Sequence, residues 1–163
     1  MILPIRSFLL ITATFTIFAG LAAPLSAVEL SGPNIQKGAL VIPKAGITAQ
    51  ASFFPVTVDG VKMEVMAVKA SDGSIRTALN TCQVCFNSGR GWYVQQGDVL
   101  VCQNCGNRFK VDQIELQKNG CNPIPITKEI KTEDAKFITI KADILVQAKQ
   151  FFGRWKRDAK TNG

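Results

Sequence analysis

Two identical cysteine pairs carry most of the chemistry that this 163-residue sequence can perform. The pairs are Cys82 with Cys85 and Cys102 with Cys105, each in a C-x-x-C arrangement. Such a pair can form a tight knuckle that points two thiolates at one position, with backbone N–H groups facing the sulfurs. Sixteen residues separate the pairs, a spacing typical of metal sites. Two facing knuckles would supply four sulfurs to a tetrahedral ion or an iron–sulfur cluster.

A fifth cysteine, Cys121, follows in the string GCNPIP, whose glycine and prolines favour a rigid turn. It could lie near the metal or be a small buried apolar residue. Three states are open for the sulfurs: a structural zinc site, an iron–sulfur cluster, or disulfides and a redox dithiol. An oxidising compartment would favour disulfides, but an odd number of cysteines leaves one thiol free. The candidate metal and cofactor ligands are therefore Cys82, Cys85, Cys102, Cys105 and Cys121.

The sequence contains no histidine. This excludes a histidine general base, a Ser-His-Asp triad and a mixed Cys/His zinc site. Any transition-metal site must be built from sulfur, with carboxylate or backbone oxygen as lesser options. Since no glycine-rich phosphate loop and no serine nucleophile accompany the cysteines, we expect a metal-binding or redox protein rather than an enzyme.

The first 27 residues predict an export signal. A single cation, Arg6, precedes an apolar run from Phe8 to about Leu25, and the small residues up to Ala27 resemble a cleavage site. The run could instead remain as a membrane anchor, because about 17–25 apolar residues can span a bilayer. We expect residues 28–50 to be a linker or leader that adds one short edge strand at Gly38–Ile42, and residues 51–163 to form one β-rich metal-binding domain.

The positive charge of the chain is modest. Removing the signal with Arg6 lowers the formal net charge from +7 to +6. The densest basic cluster lies at the end of the chain, where Arg154, Lys156, Arg157 and Lys160 follow one another closely. Because an exported protein has little access to nucleic acid, we interpret this cluster as a solvated surface and expect no nucleic-acid partner.

Runs of β-forming residues predict how the first knuckle is positioned. Phe53–Asp59 and Val61–Lys69 are rich in strand formers, and the Asp59-Gly60 step between them is a hairpin turn signal. Ile75–Asn80 predicts a third strand that leads directly into Cys82. The first knuckle is thus expected at the end of an antiparallel sheet.

The second half of the chain continues this pattern and ends in a helix. A hairpin over residues 92–102 delivers Cys102, and Lys128–Lys131 with Lys136–Ile140 predict a final hairpin. Ala142–Trp155 has the 3.6-residue apolar spacing of a helix. The fold class expected is mainly β, a small α+β domain, with two C-x-x-C knuckles and a short C-terminal helix.

Several strings of the sequence resemble the FtrD-like membrane iron–sulfur protein family. They are VTVDG, the DG-x-IRTA strand, the duplicated C-x-x-C, GD-x-LVC and GCNPIPI, and they run from about Phe53 to Ile140. The resemblance implies a cysteine-ligated iron–sulfur centre, with Cys121 at the position of the family's GCNP cysteine. Longer members carry a multi-helix membrane portion, so the single apolar segment suggests a free-standing exported form.

The same resemblance implies a role in bacterial iron uptake, through electron transfer or metal handling. The expected partner is an inner-membrane iron permease or another membrane redox protein, met in the periplasm or at the outer face of the cytoplasmic membrane. The residues also leave two other functions open. One is a structural zinc-ribbon module that docks a partner through its C-terminal helix, and the other is a thiol–disulfide oxidoreductase that uses one C-x-x-C.

Overall fold

The computed structural model describes residues 27–157, so the predicted export signal lies outside the described residues except for Ala27. The described chain forms antiparallel sheets and a short α-helix, which confirms the mainly β, small α+β class. The strands, in chain order, are β1 (Leu30–Ser31), β2 (Ile35–Gln36), β3 (Ala39–Pro43), β4 (Ser52–Val58), β5 (Val61–Lys69), β6 (Ile75–Cys82), β7 (Tyr93–Gln96), β8 (Val99–Cys102), β9 (Arg108–Lys110), β10 (Pro123–Pro125), β11 (Thr132–Glu133) and β12 (Phe137–Lys141).

The strands form three sheets. The first has the order β1-β4-β5-β6-β10, the second β11-β12-β3-β2, and the third β7-β8-β9. In the first sheet, β4 and β5 pair closely up to Val58 opposite Val61. Asp59 and Gly60 both have positive φ, 45° and 78°, as a two-residue hairpin turn of the primed type requires. This confirms the predicted first hairpin.

Strand β5 is shared by two hydrophobic cores, because its alternate residues point to opposite faces of the first sheet. Met63 and Val65 contribute to an aliphatic core together with residues of the second sheet, whereas Met66 and Val68 contribute to the core beside the third sheet. We call the latter the cysteine core, and its buried members are Ala51, Met66, Val68, Ala78, Cys82, Cys85, Tyr93, Leu100, Cys102, Phe109, Val111 and Ile114.

The predicted linker at residues 28–50 contains strands. Strand β3 pairs with β12 from Ala39 opposite Lys141 to Pro43 opposite Phe137. Its Leu40 and Ile42 side chains are fully buried in the aliphatic core. The folded region therefore begins before residue 51, because these side chains close one face of that core.

The C-terminal elements are shorter than predicted. Helix α1 covers Ala142–Ala148 and continues as a 3₁₀ turn at Lys149–Phe151, instead of extending to Trp155. Leu145 and Phe152 pack into the aliphatic core, so this segment rests on the domain itself. Within residues 27–157, no helix is long and apolar enough to cross a membrane.

The final hairpin is also displaced from its predicted position. Thr132–Glu133 pairs with β12, whereas residues 128–130 form a turn. Lys131 is buried, and its ammonium group lies 2.6 Å from a Glu115 carboxylate oxygen. A charged side chain that is buried in an ion pair cannot be recognised from local sequence alternation, which explains the difference.

Candidate metal centre

The first knuckle begins where β6 ends at Cys82. The Cys85 N–H group donates a hydrogen bond to the Cys82 sulfur over 3.4 Å, as expected of a C-x-x-C knuckle. The Cys82 N–H group donates to the Gly91 carbonyl at 2.6 Å. A Cβ atom at Gly91 would lie only 2.6 Å from the Cys85 carbonyl oxygen, so the chain passes too close for any other residue.

A 3₁₀ helix at Phe86–Ser88 holds Cys85 from its other side. The Cys85 carbonyl accepts hydrogen bonds from the Ser88 N–H group at 3.0 Å and the Ser88 hydroxyl at 2.7 Å. The Phe86 ring meets the Phe151 ring edge-on, with centroids 5.2 Å apart. The backbone of Cys85 is therefore held by hydrogen bonds at both its N–H group and its carbonyl.

The second knuckle begins where β8 ends at Cys102. The Gly106 N–H group donates to the Cys102 carbonyl at 2.9 Å, and Gly106 has a φ of 72°. Because glycine has no Cβ, Gly106 adopts this left-handed conformation directly after Cys105 without strain. The backbone N–H group of Asn107 faces the Cys105 sulfur and lowers the pKa of that thiol. Both knuckles thus present backbone N–H groups to sulfur.

One side-chain and one backbone hydrogen bond fix the third loop, which carries Cys121. Asn107 donates from Nδ2 to the Cys121 carbonyl at 2.7 Å, which ties this loop to the second knuckle. The buried Asn122 accepts at its carbonyl from the Gln83 N–H group at 3.1 Å, which ties the same loop to the first knuckle. Cys121 is therefore held between the two pairs.

The five sulfurs converge as two overlapping groups of three. One comprises Cys82, Cys85 and Cys102, the other Cys85, Cys105 and Cys121, and within each group the sulfurs lie within 4.8 Å of one another. All five cysteines are free thiols. The structure thus brings together every cysteine that the sequence identified as a candidate ligand, while ligation itself stays a prediction.

Burial divides the site into an inner and an outer part. Cys82, Cys85 and Cys102 are buried in the cysteine core. Cys121 is half-buried and Cys105 is exposed. The outer sulfurs therefore form the accessible edge of the site.

The thiols perturb one another strongly. The neighbouring Cys102 thiol lowers the pKa of Cys82, with help from the Tyr93 hydroxyl and backbone N–H groups, while the same contact raises the pKa of Cys102. Burial raises the pKa of Cys85, and the adjacent Cys105 raises that of Cys121 to about 12. Neighbouring thiolates repel each other, so full ionisation of this cluster calls for a bound cation.

Tyr93 supplies a further polar group to the site. It lies opposite Cys102 in the β7–β8 pair, and its backbone N–H group donates to Asn80 Oδ1 at 2.8 Å. Its hydroxyl oxygen is buried and has no hydrogen-bond partner of good geometry among the described residues. Burial and the nearby Cys82 sulfur raise the pKa of Tyr93. The hydroxyl is therefore available to a thiolate of the cluster.

Sequence reasoning missed the residues that shape the site from outside the C-x-x-C pairs. Gly91 lies in the string NSGRG, which predicts only a flexible loop, and its role depends on a close approach to Cys85. Asn80 and Asn107 act through hydrogen bonds across the fold, for which a single sequence gives no local signal.

The donor set fits a sulfur-bound metal. Both groups consist of cysteine sulfur alone, which suits zinc or iron–sulfur chemistry and disfavours hard cations such as Mg²⁺ and Ca²⁺. The orphaned Tyr93 hydroxyl and the knuckle N–H groups add hydrogen-bond donors that would offset thiolate charge. The described residues therefore provide ligands and their supporting hydrogen bonds.

A comparison with protein families identifies a family that the chain matches. A family model described as membrane iron-sulfur containing protein, FtrD-like, covers residues 47–152. No curated protein and no solved structure matches the chain. The matched span includes all five cysteines and both knuckles, and it covers more than half of the chain.

Proposed function

This chain belongs to the FtrD-like family of membrane iron–sulfur containing proteins, and on that premise we propose that its cysteines hold an iron–sulfur centre for electron transfer in bacterial iron transport. The observation that carries the proposal is the convergence of five cysteine sulfurs into two groups, in each of which the sulfurs lie within 4.8 Å of one another. An iron–sulfur group held by these cysteines would supply one-electron transfer between a reduced and an oxidised partner.

The division of the site by burial supports electron transfer. The inner sulfurs are shielded from water by the cysteine core, and a low local dielectric is one of the factors that set the potential of a metal centre. Cys105 is exposed, so the redox group of a partner could approach the centre from this side. The chain would act by holding and tuning the centre, not by turning over a substrate.

The proposed partner is an inner-membrane iron permease or another membrane redox protein. Support comes from the family description, which names a membrane protein, and from the export signal predicted at residues 1–27. On this proposal the domain lies in the periplasm or at the outer face of the cytoplasmic membrane. Fractionation of cells that produce the full chain tests this, because cytoplasmic recovery would contradict it.

Burial argues against a thiol–disulfide oxidoreductase. Cys82 has a lowered pKa, but its residue is fully buried, whereas an attacking thiolate must reach a substrate disulfide. The exposed Cys105 also has a lowered pKa, but its C-x-x-C partner Cys102 lies in the cysteine core. Neither pair presents two accessible sulfurs.

Metal analysis of protein produced without oxygen tests the proposal against the zinc alternative. We expect iron and inorganic sulfide in the protein, sulfur-to-iron charge-transfer absorption, and an electron paramagnetic resonance signal that changes on reduction. Cys102→Ser should lose most of the bound iron, while Val84→Ala, an exposed change inside the first knuckle, should keep it. Colourless, redox-silent protein with bound zinc would reject electron transfer and favour a structural zinc module.

A further inference from the structure

The grouping of the sulfurs indicates how many metal positions the site contains. Two C-x-x-C pairs that close on one ion would place four sulfurs around a single point. Here the sulfurs divide differently. The first group combines the first knuckle with Cys102 of the second, and the second group combines Cys85, Cys105 and Cys121. Cys85 is the one sulfur that belongs to both groups.

The separations within each group suit one metal position. Two thiolates on the same tetrahedral ion, with bonds of about 2.3 Å, stand roughly 3.8 Å apart. The three sulfurs of each group lie within 4.8 Å of one another, so side-chain rotation could bring all three to one metal ion. In a four-iron cluster each cysteine binds a different iron. The cysteine sulfurs around such a cluster therefore lie farther apart than cysteine sulfurs that bind the same ion.

The surroundings of Cys85 suit a shared ligand. Its carbonyl is held by two hydrogen bonds from Ser88, and Gly91 packs directly against its backbone. Cys85 is 8 % exposed, and its sulfur belongs both to the buried group and to the group that contains the exposed Cys105. A thiolate sulfur has enough lone pairs to bind two cations, and the held backbone of Cys85 would keep its sulfur within reach of both groups.

We infer that the site contains two adjacent metal positions bridged by the Cys85 sulfur. The inner position is bounded by Cys82, Cys85 and Cys102, and the outer position by Cys85, Cys105 and Cys121. The inference rests on the proposed function for the identity of the metal, and it assigns Cys121 as a ligand of the outer position. An iron–sulfur centre at this site would contain two irons per chain.

Titration of the reduced, metal-free full chain with Co²⁺ under nitrogen tests the inference directly. We expect two equivalents to bind with thiolate charge-transfer absorption. The intensity of the electron paramagnetic resonance signal from the first Co²⁺ should fall as the second Co²⁺ binds, because a bridging sulfur couples the two electron spins. Saturation at one equivalent would overturn the inference, and so would two equivalents whose signals simply add.

Variants separate the two positions. Cys121→Ser should reduce the strongly bound Co²⁺ from two equivalents to one and abolish the spin coupling, while the inner position stays filled. Cys85→Ser should weaken both equivalents. Full Co²⁺ binding by Cys121→Ser would contradict the inference even if Cys85→Ser failed to fold. Thr139→Val in β12, on the second sheet, is the control and should bind as the unaltered chain does.

The iron content of anaerobically isolated protein distinguishes this inference from the proposed function. Four irons per chain would overturn the two-position inference and leave electron transfer standing. Two coupled Co²⁺ ions in a chain that never acquires iron would leave the bridged site standing and overturn the iron–sulfur proposal. Two irons per chain, reducible by one electron, would support both.

Discussion

The Tyr93 hydroxyl is a buried polar group beside the Cys82 sulfur, and it has no hydrogen-bond partner of good geometry among the described residues. The Cys102 thiol and the Tyr93 hydroxyl both lower the pKa of Cys82. A hydrogen bond to a charged acceptor contributes about 1.5–3 kcal/mol, and it becomes stronger as the acceptor gains negative charge. Tyr93 is therefore suited to favouring the reduced, more negative state of a bound centre.

Replacing Tyr93 with Phe should lower the reduction potential of the centre. If the lost bond is about 1 kcal/mol stronger in the reduced state, the potential falls by roughly 40 mV. Direct electrochemistry on the loaded protein measures the shift, and a fall in Cys82-dependent charge-transfer energy should accompany it. An unchanged potential would mean that the hydroxyl does not reach a ligand sulfur. Thr139→Val removes a hydroxyl far from the cysteine core and should leave the potential unaltered.

Gly91 permits the close approach that closes the first knuckle. Gly91→Ala would place a methyl group 2.6 Å from the Cys85 carbonyl oxygen, a backbone atom that cannot move freely. We expect the free energy of unfolding to fall by about 1–3 kcal/mol and the metal affinity to fall with it. Gly153→Ala is a matched control, because its added methyl group meets nothing within 4 Å. Equal losses in urea unfolding of both variants would show that the close approach is unimportant.

The segment that follows α1 supports the first knuckle. The Trp155 indole N–H group donates to the Asn80 carbonyl at 2.7 Å, and the Lys156 N–H group donates to the Gly89 carbonyl at 3.0 Å. Together with the contact between Phe151 and Phe86, these bonds connect the C-terminal segment to both sides of the loop. The C-terminal segment therefore helps to support the candidate metal site.

Trp155→Phe tests this support, because it keeps an aromatic ring and removes the indole donor. The Asn80 carbonyl would lose its partner, and we expect a loss of about 1–3 kcal/mol in the free energy of unfolding. Metal should also dissociate faster to a competing chelator, since Asn80 positions β7 through its bond to the Tyr93 N–H group. Gln147→Ala on the exposed face of α1 should change neither quantity. Unaltered chelator kinetics in Trp155→Phe would limit the role of the segment to stability.

The elements that the sequence predicted correctly are those whose signals are local. Alternation and the Asp59-Gly60 step were enough for β4 and β5, and the C-x-x-C spacing was enough for both knuckles. The short strand predicted at Gly38–Ile42 is confirmed as β3, but its place inside the second sheet and in the aliphatic core could not be predicted, because its partner β12 comes almost at the end of the chain. The sharing of Cys85 between two sulfur groups is likewise set by tertiary contacts, such as that from Asn107 to the Cys121 loop.

The first sheet separates two hydrophobic cores of different chemistry. The aliphatic core is closed by strands β3 and β12 and by α1, with side chains such as Leu40, Ile138 and Leu145 fully buried. The cysteine core counts Cys82, Cys85 and Cys102 among its own buried members. The stability of the second core should therefore depend on what binds the sulfurs, while that of the first should not.

Removing the metal should loosen one side of the protein and leave the other in place. A ligand present at about 1,000 times its dissociation constant contributes about 4 kcal/mol, so chelation should lower the melting temperature by roughly 10–20 °C. Hydrogen exchange followed by mass spectrometry should then show faster exchange in β7, β8 and β9, while β3 and β12 keep their protection. The comparison must be made anaerobically, because disulfides among the freed thiols would replace one constraint with another. Faster exchange spread evenly over all three sheets would show that the two cores unfold as one unit, and unaltered exchange would show that the cysteine core is stable without metal.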